Sequence, residues 1–267
     1  MKYKMFVSDF DWTLGNIPDI IEEETVNAIK EYEKKGGKFC IVTGRSFYSI
    51  RNICRKYDIG EIVACSQGSK IANVKTDEVY IDGGLDYKTA VDIVDNLQQE
   101  GLEPIVWAGE KLLYKNESFY VDIYRTAEKV EVAKVADLKQ EIERFARPIA
   151  KICLVCEEEE TDYLTQKFYE KYKNKCLVNS GSKRLVEFIN PYYNKGFAIK
   201  EIAKMLNLKS DDIIAVGDSL NDIELISGEW HGVCVGDGAE SLKKVADEVT
   251  VPYKEKPVKI LLEKYCL

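Results

Sequence analysis

Short apolar runs rich in β-branched residues recur along this chain. Longer stretches follow them, with apolar side chains returning every three or four positions. The runs Met5-Phe6-Val7, Phe39-Cys40-Ile41-Val42 and Ile62-Val63-Ala64 read as buried strands. Helices are predicted between and after them, near residues 22–35 and 46–57, the first closed by Gly36-Gly37. Strand-helix alternation of this kind predicts an α/β fold with a parallel sheet. A hairpin is predicted at 70–73 and 79–82, and Gly83-Gly84 reads as a hinge. Beyond it the pattern changes. A helix over 87–99 places Ala90, Val94 and Leu97 on one face, and strands are predicted near 104–107, 111–114, 149–155 and 176–178. Helices near 135–145 and 161–172 complete an inserted α+β segment. The chain is expected to return to the first unit around Gly181–Lys183, so residues 1–83 and 184–267 form one domain and 84–183 another. In the returning part, a helix over 195–206 is expected to turn Ala198, Ile202 and Met205 inward. The run Ile213-Ile214-Ala215-Val216 reads as a further buried strand.

The chain has 267 residues, enough for one or two domains with a sizeable core. Its 46 acidic and 38 basic residues give a net charge of −8, which argues against nucleic acid as the main partner. Every apolar stretch falls well short of the ~20 residues of a membrane span. The first residues lead straight into a strand, so no membrane, no signal peptide and a cytoplasmic location are expected. Cys40, Cys65, Cys153 and Cys234 sit in or beside strand-like runs. Cys153 and Cys156 are spaced as C-x-x-C inside a predicted strand rather than at a helix start, and read as small buried hydrophobes. His231 is the sole histidine, which rules out a zinc site of three histidines and leaves it a structural role.

Four polar motifs change the picture. Asp9-Phe10-Asp11-Trp12-Thr13, Thr43-Gly44-Arg45 and Gly217-Asp218-Ser219-Leu220-Asn221-Asp222 each follow a predicted strand, and Asn194-Lys195-Gly196 lies shortly after the run Leu185–Ile189. In open α/β sheets the binding crevice forms at the carboxyl ends of the strands, so the four motifs predict one shared site. Asp9 and Asp11 leave an extended segment on the same side. Their mutual repulsion calls for a cation or unequal protonation. Asp218 can add a further oxygen, and an all-oxygen set suits Mg²⁺. The Thr43 hydroxyl, the Gly44 N–H and the Lys195 ammonium can each meet a phosphate oxygen.

In order and spacing these motifs resemble the haloacid dehalogenase-like hydrolases, specifically the Cof-type phosphatases, over nearly the whole chain. The resemblance implies a Rossmann-like core with an inserted α/β cap that selects the substrate. It implies a Mg²⁺-dependent phosphatase acting on a small phosphorylated metabolite, a sugar phosphate above all. Asp9 would be the nucleophile that forms an aspartyl-phosphate. Asp11 would be the acid and base, offering the metal its backbone carbonyl, and Thr13 would orient the loop. Asp218 would be the remaining carboxylate ligand, and Asp222 would hold the metal's surroundings or Lys195. Asn221 matches a position that touches the phosphate. A phosphomutase or phosphotransferase would use the same intermediate, and a non-catalytic phosphoacceptor is the alternative from another class. The chain departs from the family pattern at Trp12, where many relatives carry glycine. A second departure is Ser66-Gln67-Gly68, where Asn-Gly is common. Trp12 is expected to point out of its loop, either contacting substrate or anchoring packing, and Gln67 receives no role. Arg45 keeps two readings, a link to the inserted segment or a structural ion pair.

Overall fold

In the computed structural model, residues 1–16, 20–126 and 130–267 are described. The chain divides into two compact units, Met1–Ile81 with Tyr193–Leu267, and Asp82–Tyr192. The first unit begins β1 (Met5–Ser8), α1 (Glu23–Lys34), β2 (Lys38–Val42), α2 (Phe47–Tyr57), β3 (Ile62–Cys65), β4 (Lys70–Asn73) and β5 (Val79–Asp82). The second unit contains α3 (Tyr87–Gln99), β6 (Pro104–Ala108), β7 (Lys111–Tyr114), α4 (Phe119–Thr126) and β8 (Glu131–Lys134). It continues through α5 (Leu138–Phe145), β9 (Lys151–Val155), α6 (Thr161–Tyr172), β10 (Leu177–Ser182) and β11 (Leu185–Ile189). The chain then resumes the first unit with α7 (Lys195–Met205), β12 (Ile213–Gly217), α8 (Ile223–Ile226), β13 (His231–Cys234), α9 (Glu240–Lys243), β14 (Glu248–Val249) and α10 (Pro257–Tyr265).

Among the described residues, the first unit's sheet runs β14-β13-β12-β1-β2-β3-β4-β5. It is parallel from β14 to β3, and β4 turns back antiparallel to β3. Its strands read as unbroken apolar runs because both faces are covered. Phe6, Phe39, Ile41, Val63, Ile214 and Val216 meet apolar residues of α1, α2 and α10 on one side. Met5, Val7, Cys40, Val42 and Ala215 meet Ala198, Ile199 and Ile202 of α7 on the other. Met205 is instead 41% exposed, as the helix reaches its last turn there. The chain order reverses beside β1, with β2 and β3 to one side and β12, β13 and β14 to the other. The crevice of such a sheet opens at this reversal.

The second unit is a mixed six-stranded sheet, β10-β11-β9-β6-β7-β8, again among the described residues. Helices α3, α5 and α6 pack on one face, and α4 covers residues of the other. Its last strand corrects the expected boundary at residue 183. Strand β11 pairs antiparallel with β9 and β10, so the chain leaves this unit near Tyr193. Helix α4 and strand β8 were not expected. Only Val121 and Tyr124 of α4 are buried, too few to set up a helical repeat in the sequence. All eight cysteines are free and buried. His231 stacks on Tyr3 at 5.6 Å, with Nε2 3.1 Å from a Glu248 oxygen, in a packing role. No described helix is long and apolar enough to cross a membrane.

Candidate active site

The centre of the site is Asp9, directly after β1. Asp9 is 4% exposed, because β2 and β12 flank its strand. The Lys195 ammonium donates to Asp9 Oδ1 at 2.7 Å and to Asp222 Oδ1 at 2.5 Å. Lys195 is itself 1% exposed. It does not follow a strand of the core sheet. It opens α7, whose preceding residue Asn194 caps the helix by accepting from Phe197 N at 2.8 Å. Gly68 sets the place of that cap. It has φ +93°, and a Cβ there would lie 2.2 Å from the Asn194 carbonyl oxygen. Only glycine combines that dihedral with that approach.

Asp222 is fully buried and accepts hydrogen bonds on both oxygens. Its Oδ2 accepts from the backbone N–H of Asp218 and of Ser219, both at 3.0 Å, while Oδ1 faces Lys195. It therefore shapes the loop after β12 and fixes the lysine. Asp218 is partly exposed, and its Oδ1 accepts from the Thr13 hydroxyl at 2.9 Å. That bond ties the turn after β1 to the turn after β12.

Asp9, Asp218 and Asp222 each offer a carboxylate oxygen, all within 4.8 Å of one another. One ammonium faces these three carboxylates, and the imbalance is visible in their acidities. Burial, then Asp222, pushes the Asp9 carboxyl up to about 8 against the pull of Lys195. Burial and Asp222 push Asp218 up to about 6. Burial opposes the Lys195 charge, but Asp222 and Asp9 outweigh it and hold the ammonium protonated above its ordinary value. A divalent cation would relieve this repulsion, and a donor set made of oxygen alone fits a hard ion. Asp222 is already engaged by Lys195 and two backbone N–H groups, which leaves Asp9 and Asp218 the less encumbered side chains for such an ion.

Asp11 lies apart from that cluster. Its carboxylate is gripped by the Arg45 fork, Nε to Oδ2 at 2.9 Å and Nη2 to Oδ1 at 2.7 Å. The Arg45 guanidinium also lies 4.5 Å from the centre of the Phe10 ring. Of the two readings of Arg45, the structure places it in an ion pair with Asp11. Thr43 is buried, and its Oγ1 accepts from Arg45 N at 3.2 Å. The hydroxyl hydrogen of Thr43 finds no acceptor among the described residues. A Cβ on Gly44 would lie 2.8 Å from Gln67 Nε2, so a larger residue would collide with that side chain. Asn221 is exposed, its Oδ1 accepting from the Ser219 hydroxyl at 2.6 Å.

The sequence left Gln67 without a role and gave no hint of its backbone. Ser66 and Gln67 both have left-handed φ, 49° and 59°. Such strain persists only where the surroundings impose it. Here Ser66 N bonds to the Arg45 carbonyl at 2.9 Å and Gln67 N to the Thr43 carbonyl at 3.1 Å. The loop after β3 thus buttresses the loop after β2, with Gln67 against Gly44 and Gly68 under Asn194. The readable signal was the glycine in Ser66-Gln67-Gly68 directly after a buried strand.

The arrangement combines a buried carboxylate, an ammonium, a hydroxyl whose hydrogen has no acceptor among the described residues and the backbone N–H of a small residue. It can bind an anion and support transfer of a phosphoryl group. Comparison with known proteins agrees. A model of the haloacid dehalogenase-like hydrolase family matches residues 6–262. Phosphatase YwpJ of Bacillus subtilis is 27% identical, over 94% of this chain and 96% of that protein. The 5-amino-6-(5-phospho-D-ribitylamino)uracil phosphatase YcsE of the same organism is 24% identical, over 92% and 89%. A crystal structure of a haloacid dehalogenase-like hydrolase from Bacteroides thetaiotaomicron shares the fold, with a TM-score of 0.88 at 21% identity over 98% of this chain and 99% of that one.

Proposed function

The chain belongs to the haloacid dehalogenase-like hydrolases and is a phosphatase, and from that premise we propose that it is Mg²⁺-dependent and hydrolyses a small phosphorylated metabolite, a sugar phosphate above all, in the cytoplasm. The observation that carries the reading is the pairing of buried Asp9 with Lys195, beside Asp218, at the reversal of the sheet. The relative named for a phosphorylated ribityl compound supports a small metabolite as substrate.

An Asp9 oxygen attacks phosphorus, and the bond from phosphorus to the leaving oxygen breaks. Asp11, protonated once it leaves the Arg45 fork, gives that oxygen a proton. Asp11 then takes a proton from water, whose oxygen attacks phosphorus and breaks the bond to Asp9. Acid-base help of this kind contributes about 10²–10⁴-fold. The third N–H of Lys195, the Thr43 hydroxyl, the Gly44 N–H and the Asn221 amide hold the phosphate oxygens. Asp9, Asp218 and the Asp11 carbonyl would hold Mg²⁺, which when bound neutralises charge on the phosphate. Thr13 and Asp222 position this set through Asp218 and Lys195. The inserted unit carries none of these groups, and we assign it substrate selection.

Phosphate release from a panel of phosphorylated metabolites tests the proposal. Turnover is expected with Mg²⁺, none after chelation, and none for Asp9→Asn. Full turnover by the folded Asp9→Asn variant would overturn the assignment. Acceptor-dependent transfer in place of release would select the phosphotransferase reading.

A further inference from the structure

A cavity of about 450 Å³ lies beside the turn that follows Asp11. Its size is that of a small-molecule site. Trp12, Leu14, Ile20, Tyr253 and Val258 give it apolar and aromatic walls. Asp9, Asp11, Thr43 and Lys195 are not among the residues that line it.

The Trp12 ring is 60% exposed although its backbone sits at φ +59°, a conformation that bulky residues rarely adopt. The other two tryptophans are at most 5% exposed. The turn imposes that dihedral, since the Trp12 N–H bonds to the Gly15 carbonyl at 2.8 Å, yet most of the residue stays outside the packed core. Its edge-on neighbour is Tyr253, with ring centres 5.6 Å apart and planes at 76°. Beside that contact Trp12 keeps exposed surface that a third ring can cover. Around the apolar walls stand a carboxylate, Glu22, an amide, Asn16, and two ammonium groups, Lys254 and Lys256, the second bonded to Glu24 at 2.8 Å. That rim offers acceptors and donors together.

We propose that this cavity binds a planar heterocycle with hydrogen-bond donors and acceptors along its edge, the chemical class of the nucleobases. The ring stacks on Trp12. Glu22 and Asn16 accept from its N–H groups, and Lys254 donates to its carbonyl or ring nitrogen. The Thr13 wall of the cavity places the ligand one residue from the bond that joins the Thr13 hydroxyl to Asp218.

Isothermal titration calorimetry with uridine and adenosine tests the site, on the full chain with chelator present. These probes lack phosphate and the assay needs no turnover, so its failure is distinct from failure of the phosphatase reading. Saturable binding is expected, with quenching of the exposed Trp12 emission. Trp12→Gly keeps the positive φ while removing the ring, and should weaken binding about tenfold or more. Trp12→Phe should retain most of it. No saturable binding of either nucleoside, unchanged affinity in Trp12→Gly, or displacement by inorganic phosphate with Mg²⁺ would each overturn the proposal. Turnover then names the ligand's source. A KM rise in Trp12→Gly confined to nucleoside monophosphates, sparing sugar phosphates, makes the ring the leaving-group end of a substrate. An unchanged KM makes it a separate ligand.

Discussion

Lys195→Met tests the electrostatic core of the site. The variant keeps the length of the side chain and removes its charge from between two carboxylates at 2.7 and 2.5 Å. At an effective dielectric of 20, each contact is worth about 6 kcal/mol of Coulombic attraction. The cost of burying the ammonium, several kcal/mol, offsets part of that. Losing one member of a buried ion cluster typically costs about 3–5 kcal/mol net, because the remaining charges stay buried and unpaired. The exposures of 1% for Lys195 and 0% for Asp222 put this site at the buried limit. For a protein of this size the expected fall in Tm is on the order of 10 °C. The loss must also depend on pH. Without the ammonium, the folded-state pKa of Asp9 rises further above the unfolded carboxylate value. A carboxyl with a raised folded pKa favours the fold most below the unfolded value, and that advantage fades as pH rises through the folded value. The deficit should therefore be small at pH 5 and largest at pH 8.5, in protein freed of metal. Adding Asp222→Asn should recover part of it by removing one unpaired charge. Denaturant melts at the two pH values decide the matter. A variant as stable as the parent at pH 8.5, or a deficit equal at both pH values, would refute the reasoning.

Asp11→Asn should slow hydrolysis about 10²–10⁴-fold for ordinary esters, yet still form the Asp9 adduct from a substrate with a good leaving group. Rapid-quench detection of that adduct is the check, and its absence in a folded variant sinks the acid-base role. Asp218→Ala should raise the Mg²⁺ concentration needed for half activity far more than it perturbs the fold. Asp222→Ala should chiefly lower stability, since it frees Lys195 and two backbone N–H groups; a metal titration and a melt on each variant separate the two roles. In the parent protein, Asp9 and Asp218 titrate near 8 and 6, both raised by burial and by Asp222. Metal-free protein should accordingly lose stability as pH rises from about 4 through those values. Mg²⁺ should tighten over the same range, and calorimetric melts with and without the ion that show parallel pH curves would contradict this.

What the sequence determined by itself was the placement of elements and of the chemistry that follows them directly. Strands β1, β2 and β12 are buried on both faces, so each had to be an unbroken apolar run, and a polar residue straight after such a run sits at the sheet's carboxyl edge. Asp9, Thr43 and Asp218 were legible for that reason. Tertiary structure alone decided the partners. Lys195 reaches Asp9 across 186 positions from a helix start, not from the end of a core strand. The run before it, Leu185–Ile189, belongs to the other sheet, because any apolar strand satisfies the same local pattern and only pairing with β9 and β10 selects its sheet. Arg45 chose Asp11 for the same kind of reason. Its fork needs a carboxylate at one distance and angle, and neither is written in the spacing of residues. The left-handed turns at Ser66 and Gln67 are imposed by carbonyls of the neighbouring loop. Periodicity reports which side of an element faces the core. Which distant group meets it there depends on the packing of whole elements, and a single chain's local pattern does not carry that information.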